Sequence, residues 1–281
     1  MLSPVLADRR SPLRPQFCKG WRKAIAAQDA LAAPKVGTER SIAVWISDVR
    51  TLLTSPSNLR VLTDTDRAAL LKISSRSSRD SAMAARILLR LSLSLVTNRH
   101  LAPSEWCFEQ TELGRPYVHA RQCREPIDFN VSHTDEIVLV AVGHNVSLGL
   151  DVESADQPLE KSLLNAFCHP SETETVQFLA PNLQHRSFIK LWTEKEAYTK
   201  MLGLGHSMEF DSFNLMHAKE ASTNSPQPLI EGFYIPWGHR LYYATLVVAA
   251  PIPQNLNIEL VTATLTEQAR QSPLPHHWAA A

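Results

Sequence analysis

Hydrophobic and polar positions along the chain follow two different periods, and the places where the period changes mark the elements. IAVWIS, starting at Ile42, is dense in β-branched and aromatic residues and predicts a strand. RAALLKI at 67–73 and DSAMAARILLRLSLSLV at 80–96 have apolar residues every three to four positions; the second run, rich in Ala, Leu and Arg, predicts a long buried helix. EWCFEQT at 105–111, the region 117–118, EIVLVAV from Glu136 and VSLGLDVE ending at Glu153 read as short strands. Helical spacing returns in PLEKSLLNAF, ETETVQFLA and HRSFIKLWTEKEAYTKMLG. After the turn-rich TNSPQP at 223–228, strands resume in LIEGFYI, YYATLVVAA and NIELVTA.

This order gives a plan of helix plus strands twice over. It predicts an α+β fold of two related halves, each an antiparallel sheet with packed helices, joined near 144–146. The halves would span 41–145 and 146–264, with a basic extension at 1–40 outside the fold and a flexible tail at 265–281. Residues 1–40 carry eight basic and three acidic side chains, whereas the whole chain balances 28 Lys and Arg against 28 Asp and Glu. A neutral chain gives no electrostatic reason to expect a nucleic-acid partner. Its four cysteines, Cys18, Cys107, Cys123 and Cys168, form no CxxC pair, which argues against a zinc ribbon or a disulfide framework and fits a reducing compartment. No run approaches the roughly 20 apolar residues of a membrane span. A soluble cytoplasmic protein is expected, with a mitochondrial address as the alternative, because the basic, acid-poor N-terminus resembles a transit peptide.

Four short stretches carry candidate chemistry. In GLDVES at 149–154, a strand's period of two places Leu148, Leu150 and Val152 on one face and Gly149, Asp151 and Glu153 on the other. Two like charges so placed raise each other's pKa unless a cation lies between them, and a hard divalent ion such as Mg²⁺ suits oxygen ligands. The same pair would also suit the wet face of a half-exposed strand. FNVSHTDE at 129–136 puts Asn130, Ser132 and His133 where a strand meets a turn, as donors to a phosphate or as solvated turn residues. GRPY at 114–117 reads as a turn from which Arg115 can reach a phosphate or simply solvent. Finally, LWTEKEAYTK at 191–200 gives a helix with Phe188, Leu191, Tyr198 and Leu202 as its apolar stripe, Trp192 and Glu196 along the edge, and Lys200 one turn on. The GLG that follows suits a helix C-cap.

Taken together and in this order, GRPY, FNVSH, GLDVE and W192-x-x-K195-E196-A-Y-x-K200 followed by GLG resemble the 4′-phosphopantetheinyl transferases of the Sfp and aminoadipate-reductase-activating type. RDSAMAARILLR at 79–90 is similar to that family's first long helix. The resemblance implies a pseudo-two-fold pair of α/β halves with the active site at their junction. It also implies transfer of phosphopantetheine from coenzyme A to a serine of an apo carrier protein of fatty-acid, polyketide, peptide-synthetase or aminoadipate-reductase type, by a monomer. On this resemblance Asp151, Glu153 and Glu196 would bind Mg²⁺, and Lys200 would meet the coenzyme A phosphates. Glu196 would be ligand or base, and Ser132 and His133 would be phosphate contacts. Arg115 would approach the adenosine end and Arg79 the 3′-phosphate, with Arg76 and Lys72 as competitors in other registers. A metal-dependent phosphodiesterase or nuclease and a non-catalytic coenzyme A binder are the rival classes for the same residues.

Overall fold

The period-two runs become strands and the helical runs become helices in the computed structural model of the chain, which describes residues 21–24, 41–98, 100–123, 126–156, 161–218, 226–253 and 256–262. Strand β1 (Trp21–Ala24) is followed by β2 (Ser41–Asp48) and by four helices: α1 (Val49–Thr54), α2 (Pro56–Leu59), α3 (Asp64–Leu71) and α4 (Arg76–Val96). A hairpin, β3 (Phe108–Gln110) and β4 (Pro116–Val118), leads to β5 (Ile127–His133), β6 (Ile137–His144) and β7 (Leu148–Ser154). Helices α5 (Lys161–Phe167), α6 (Pro170–Phe178), α7 (Pro181–Leu202) and α8 (Leu215–Ala218) precede β8 (Leu229–Trp237), β9 (Arg240–Val248) and β10 (Asn257–Thr262).

Two main sheets result. One has the order β1-β10-β2-β6-β5 and the other β7-β9-β8, with β3 and β4 as a separate pair. Alternation along β2 decides which way each side chain goes. Ala43 and Trp45 join the core under α4, while Ile42, Val44 and Ile46 face the second sheet. The inward residues of β7, Leu148, Leu150 and Val152, meet them there with Tyr242, Leu246 and Val248 of β9. The sheets therefore pack face to face between an outer layer built around α4 and another built around α7. Residues 80–96 lie within α4 as expected, and its packed face carries Ala84, Ile87, Leu88 and Leu93.

The topology corrects two sequence-based boundaries. Residues 21–24 were assigned to an extension outside the fold, yet they form β1 and pair in parallel with β10. Strand β10, expected in the second half, instead lies between β1 and β2, parallel to both, so the first sheet is mixed and not wholly antiparallel. A strand's alternation specifies which face it buries but not which neighbour it chooses, and β10 has apolar Ile258 and Leu260 to offer the inter-sheet core from either sheet. The tail at 265–281 and the rest of 1–40 lie outside the described residues. Among the described residues no helix is long and apolar enough to cross a membrane.

Gly149 sets the distance between α7 and β7. A Cβ built there would overlap the Ala197 carbonyl oxygen and stand 2.5 Å from the Met201 nitrogen, both backbone atoms of α7 that cannot rotate aside. Gly149→Ala is expected to cost about 1–3 kcal/mol through overpacking. At roughly 2–4 °C per kcal/mol for a domain of this size, a thermal melt should show a fall in Tm of several degrees. An unchanged Tm would mean that the helix moves away freely.

Candidate active site

The outward face of β7 is where the chemistry collects. Gly149, Asp151 and Glu153 turn towards α7, as the period of two requires, and Asp151 is only 4% exposed. Its Oδ1 accepts hydrogen bonds from the Lys200 amine at 2.6 Å and the Ser132 hydroxyl at 2.8 Å. Its Oδ2 is buried and has no hydrogen-bond partner among the described residues. Two turns towards the start of α7 from Lys200, the Trp192 indole donates to Glu153 Oε1 at 3.2 Å. Desolvation first and the charge of Asp151 second push the Glu153 carboxyl up to about 7, with Glu196 adding in the same direction while Trp192 and Lys200 oppose it.

Acidic side chains thus outnumber the adjoining lysine at this centre. A bare buried carboxylate oxygen is costly, and a second carboxyl that resists ionisation beside it needs more positive charge than Lys200 supplies. Oxygen donors of this kind fit a hard divalent ion. Glu196 is half-buried and joins the pair electrostatically. Among the described residues, no three His, Cys, Asp or Glu side chains are arranged to hold a metal ion as they stand, Asp151, Glu153 and Glu196 included. Glu196 also lines a cavity of about 530 Å³ together with Phe167, Trp192, Met208, Glu209, Phe210 and Asp211.

The remaining sequence candidates fall into two groups. Ser132 belongs to the centre, but its hydroxyl proton is given to Asp151 and its oxygen accepts the Val152 N–H at 3.2 Å. Asn130, read as a phosphate donor, accepts the Leu150 N–H at 3.1 Å in the same manner. His133 is exposed at the end of β5, and desolvation followed by the charge of Lys200 lowers its imidazole pKa. Arg79 turns back on its own chain, bonding the Ile73 carbonyl through Nε at 3.0 Å and an NH2 at 2.6 Å. Its competitors remain at the surface: Lys72 is exposed, and Arg76 is exposed and pairs with Asp80 at 3.8 Å. Four of the five guanidinium N–H groups of Arg115 go to protein acceptors, among them Asp128 at 2.6 Å.

Sequence reasoning missed Lys195. It was noted only as part of the WxxKE pattern, yet it is fully buried and pairs with fully buried Glu172 at 2.7 Å. All three ammonium protons are used, because Nζ also donates to the Phe210 and Phe213 carbonyls. Glu172 in turn accepts the N–H groups of His169 and Leu215. The pair thus fixes residues 210–215, of which Phe210 and Asp211 line the cavity beside Glu196, to α6 and α7. Leu202, by contrast, was expected in the buried stripe and is 43% exposed, because the buried face of α7 runs through Ala197 and Met201 over Gly149.

A buried carboxylate centre with an adjoining lysine is held between two sheets and a long helix. A family model described as the 4′-phosphopantetheinyl transferase superfamily matches residues 147–250, and one described as 4′-phosphopantetheinyl transferase, N-terminal, matches residues 54–145. Together they take in well over half of the 281 residues, and the chain belongs to the 4′-phosphopantetheinyl transferase superfamily. A 4′-phosphopantetheinyl transferase of Aneurinibacillus migulanus is 36% identical over 106 residues, covering 38% of this chain and 42% of that protein. One from Bacillus subtilis is 31% identical over 115 residues, covering 41% of this chain and 49% of its own. The L-aminoadipate-semialdehyde dehydrogenase-phosphopantetheinyl transferase of Schizosaccharomyces pombe is 29% identical over 196 residues, covering 58% of this chain and 75% of that protein. The chain spans about half the length of the first two of these curated relatives.

Lys195→Met would leave the Glu172 carboxylate buried without its cation. Removing one partner of such a pair costs about 3–5 kcal/mol, so a large loss of thermal stability is expected. A variant melting within a degree of wild type would show that Glu172 finds another partner or takes up a proton at no cost.

Proposed function

We propose that the protein transfers the 4′-phosphopantetheine arm of coenzyme A to a serine hydroxyl of an apo carrier protein, releasing adenosine 3′,5′-bisphosphate. The observation that carries this reading is the buried, half-satisfied Asp151: Lys200 and Ser132 share one oxygen and the other is bare, beside a Glu153 that burial and Asp151 keep near pKa 7. Family membership supplies the substrate class. Aminoadipate-reductase-type carriers are supported by the name of the Schizosaccharomyces pombe relative.

Asp151, Glu153 and Glu196 would hold Mg²⁺, which supplies positive charge opposite the pyrophosphate as charge builds on the leaving oxygen. Lys200 would bind the same phosphates from the helix side. Trp192 keeps Glu153 aimed at the site by its indole N–H. Glu196, half-buried and lining the cavity, would receive the proton of the incoming serine, and its role as a base weakens the more tightly it serves as a ligand. Alignment of hydroxyl, phosphorus and leaving group is then most of the catalytic task. Free thiols at Cys107, Cys123 and Cys168 support a reducing compartment such as the cytoplasm for a protein acting as a monomer.

Intact-mass spectrometry of apo acyl carrier protein with this protein, coenzyme A and Mg²⁺ should show a gain of roughly 340 Da, the covalent phosphopantetheine modification. EDTA should abolish the gain. Glu196→Gln should fold normally and transfer little, and near wild-type turnover would remove that residue from the mechanism. Lys200→Ala should mainly weaken the use of coenzyme A, and an unchanged kcat and KM would exclude the contact. No gain on several carriers, with coenzyme A still bound, would identify a binder in place of a transferase.

A further inference from the structure

We infer that Arg115 is a positioning residue for Lys200 and not a contact to the substrate. Arg115 leaves the turn between β3 and β4, whose Gly114 takes a positive φ of 83°, and crosses to the other half of the molecule. One terminal nitrogen donates to the carbonyl of Lys200 itself and to that of Met201, the latter at 2.7 Å. The other donates to Asp128 Oδ2 at 2.6 Å and to the Leu148 carbonyl at 2.9 Å. Four of the five guanidinium N–H groups are thereby spent on protein acceptors. The pair with Asp128 is largely buried, at 15% and 20% side-chain exposure, so a ligand phosphate would have to break a desolvated ion pair to recruit it.

The place it grips is specific. At the end of α7 the Gly203 N–H bonds Lys200 O and the Leu204 N–H bonds Thr199 O, a left-handed cap with Gly203 at φ 74°. Carbonyls in the last turn of a helix lack intrahelical donors, and a cation there also complements the helix dipole. Arg115 supplies both, and its Cδ would lie 3.2 Å from a Cβ added at Gly203, so that glycine leaves room for the arginine stem. Asp128 meanwhile accepts the Leu148 N–H at 2.8 Å, tying the same arginine to β7 three residues before Asp151. The geometry makes Arg115 a brace between the two residues of the Lys200–Asp151 contact. Lysine could not replace it, because one ammonium lacks the fork that spans four acceptors.

The consequence for turnover rests on the transferase reading. If Arg115 acts through Lys200, Arg115→Lys and Asp128→Asn should each lower kcat/KM for coenzyme A tenfold or more while remaining folded. In a Lys200→Ala background the same changes should cost less than twofold, since coupled residues are not additive. A silent Asp128→Asn, or an Arg115→Lys defect that persists in full without Lys200, overturns the inference in favour of a direct contact. Hydrogen exchange gives a readout independent of activity: amides of residues 203 and 204 should exchange at least tenfold faster in Asp128→Asn, and unchanged exchange overturns the proposal. Should the wild type modify no carrier, the transferase reading fails while the exchange experiment still decides the role of Arg115.

Discussion

The whole site depends on a seam between two edge strands that are not hydrogen-bonded to each other through their backbones. Strands β5 and β7 close the two sheets on the same side, and each would present a row of unpaired backbone groups. Side chains fill the place of a ladder. Asp128, Asn130 and Ser132 of β5 accept, in turn, the N–H groups of Leu148, Leu150 and Val152 of β7. The register is two by two, so the outward N–H groups of β7 are satisfied while its intervening residues are left facing α7. Strand β7 can therefore be an edge and still be buried, which is what allows a carboxylate at Asp151 to sit out of water yet within reach of β5 and α7 at once.

Burial then determines the electrostatics. A carboxylate removed from water needs partners, and Asp151 has two on one oxygen and none on the other. Glu153 resists ionisation because its neighbour is already charged and solvent is scarce. Gly149 belongs to the same argument, since only a missing Cβ lets the backbone of α7 approach β7 closely enough for Lys200 to reach Asp151. The Lys195–Glu172 pair does for the opposite side of α7 what the seam does for β7, fixing the wall near Glu196 by polar contacts instead of apolar packing.

Much of this was legible in the sequence where the information is local. The alternation in GLDVE put both carboxylates on one face, and the helical spacing of 191–200 put Glu196 and Lys200 on one side of α7. The glycine of GLG takes the left-handed conformation that a cap requires. What was not legible is pairing across distance. Nothing in NIELVTA states that β10 inserts beside β2 in place of joining β7, β8 and β9, and nothing in WRKA announces a strand until β10 offers it an edge. Asn130 and Ser132 were read as ligand donors because short polar side chains at a strand end have the same signature whether they meet a phosphate or a neighbouring backbone. Lys195 was hidden because a lysine inside a helix is ordinarily solvated, and its partner lies 23 positions earlier in the chain.

The bare oxygen of Asp151 also constrains how two cations divide one carboxylate. Lys200 and Ser132 already occupy Oδ1, and Ser132 cannot leave without freeing the Val152 N–H that it also satisfies. A divalent ion entering at Oδ2 would thus meet a carboxylate held in plane from behind, with the lysine charge on the far oxygen. Asp151 would then hold the ion as well as Lys200, and both would supply positive charge to a phosphate. Removing the lysine would leave more negative charge for the ion to neutralise, while removing the carboxylate would set lysine and ion in mutual repulsion. On the proposed reading the two residues would be unequal partners: Asp151 would hold either cation, and Lys200 would set how much charge is left for the substrate.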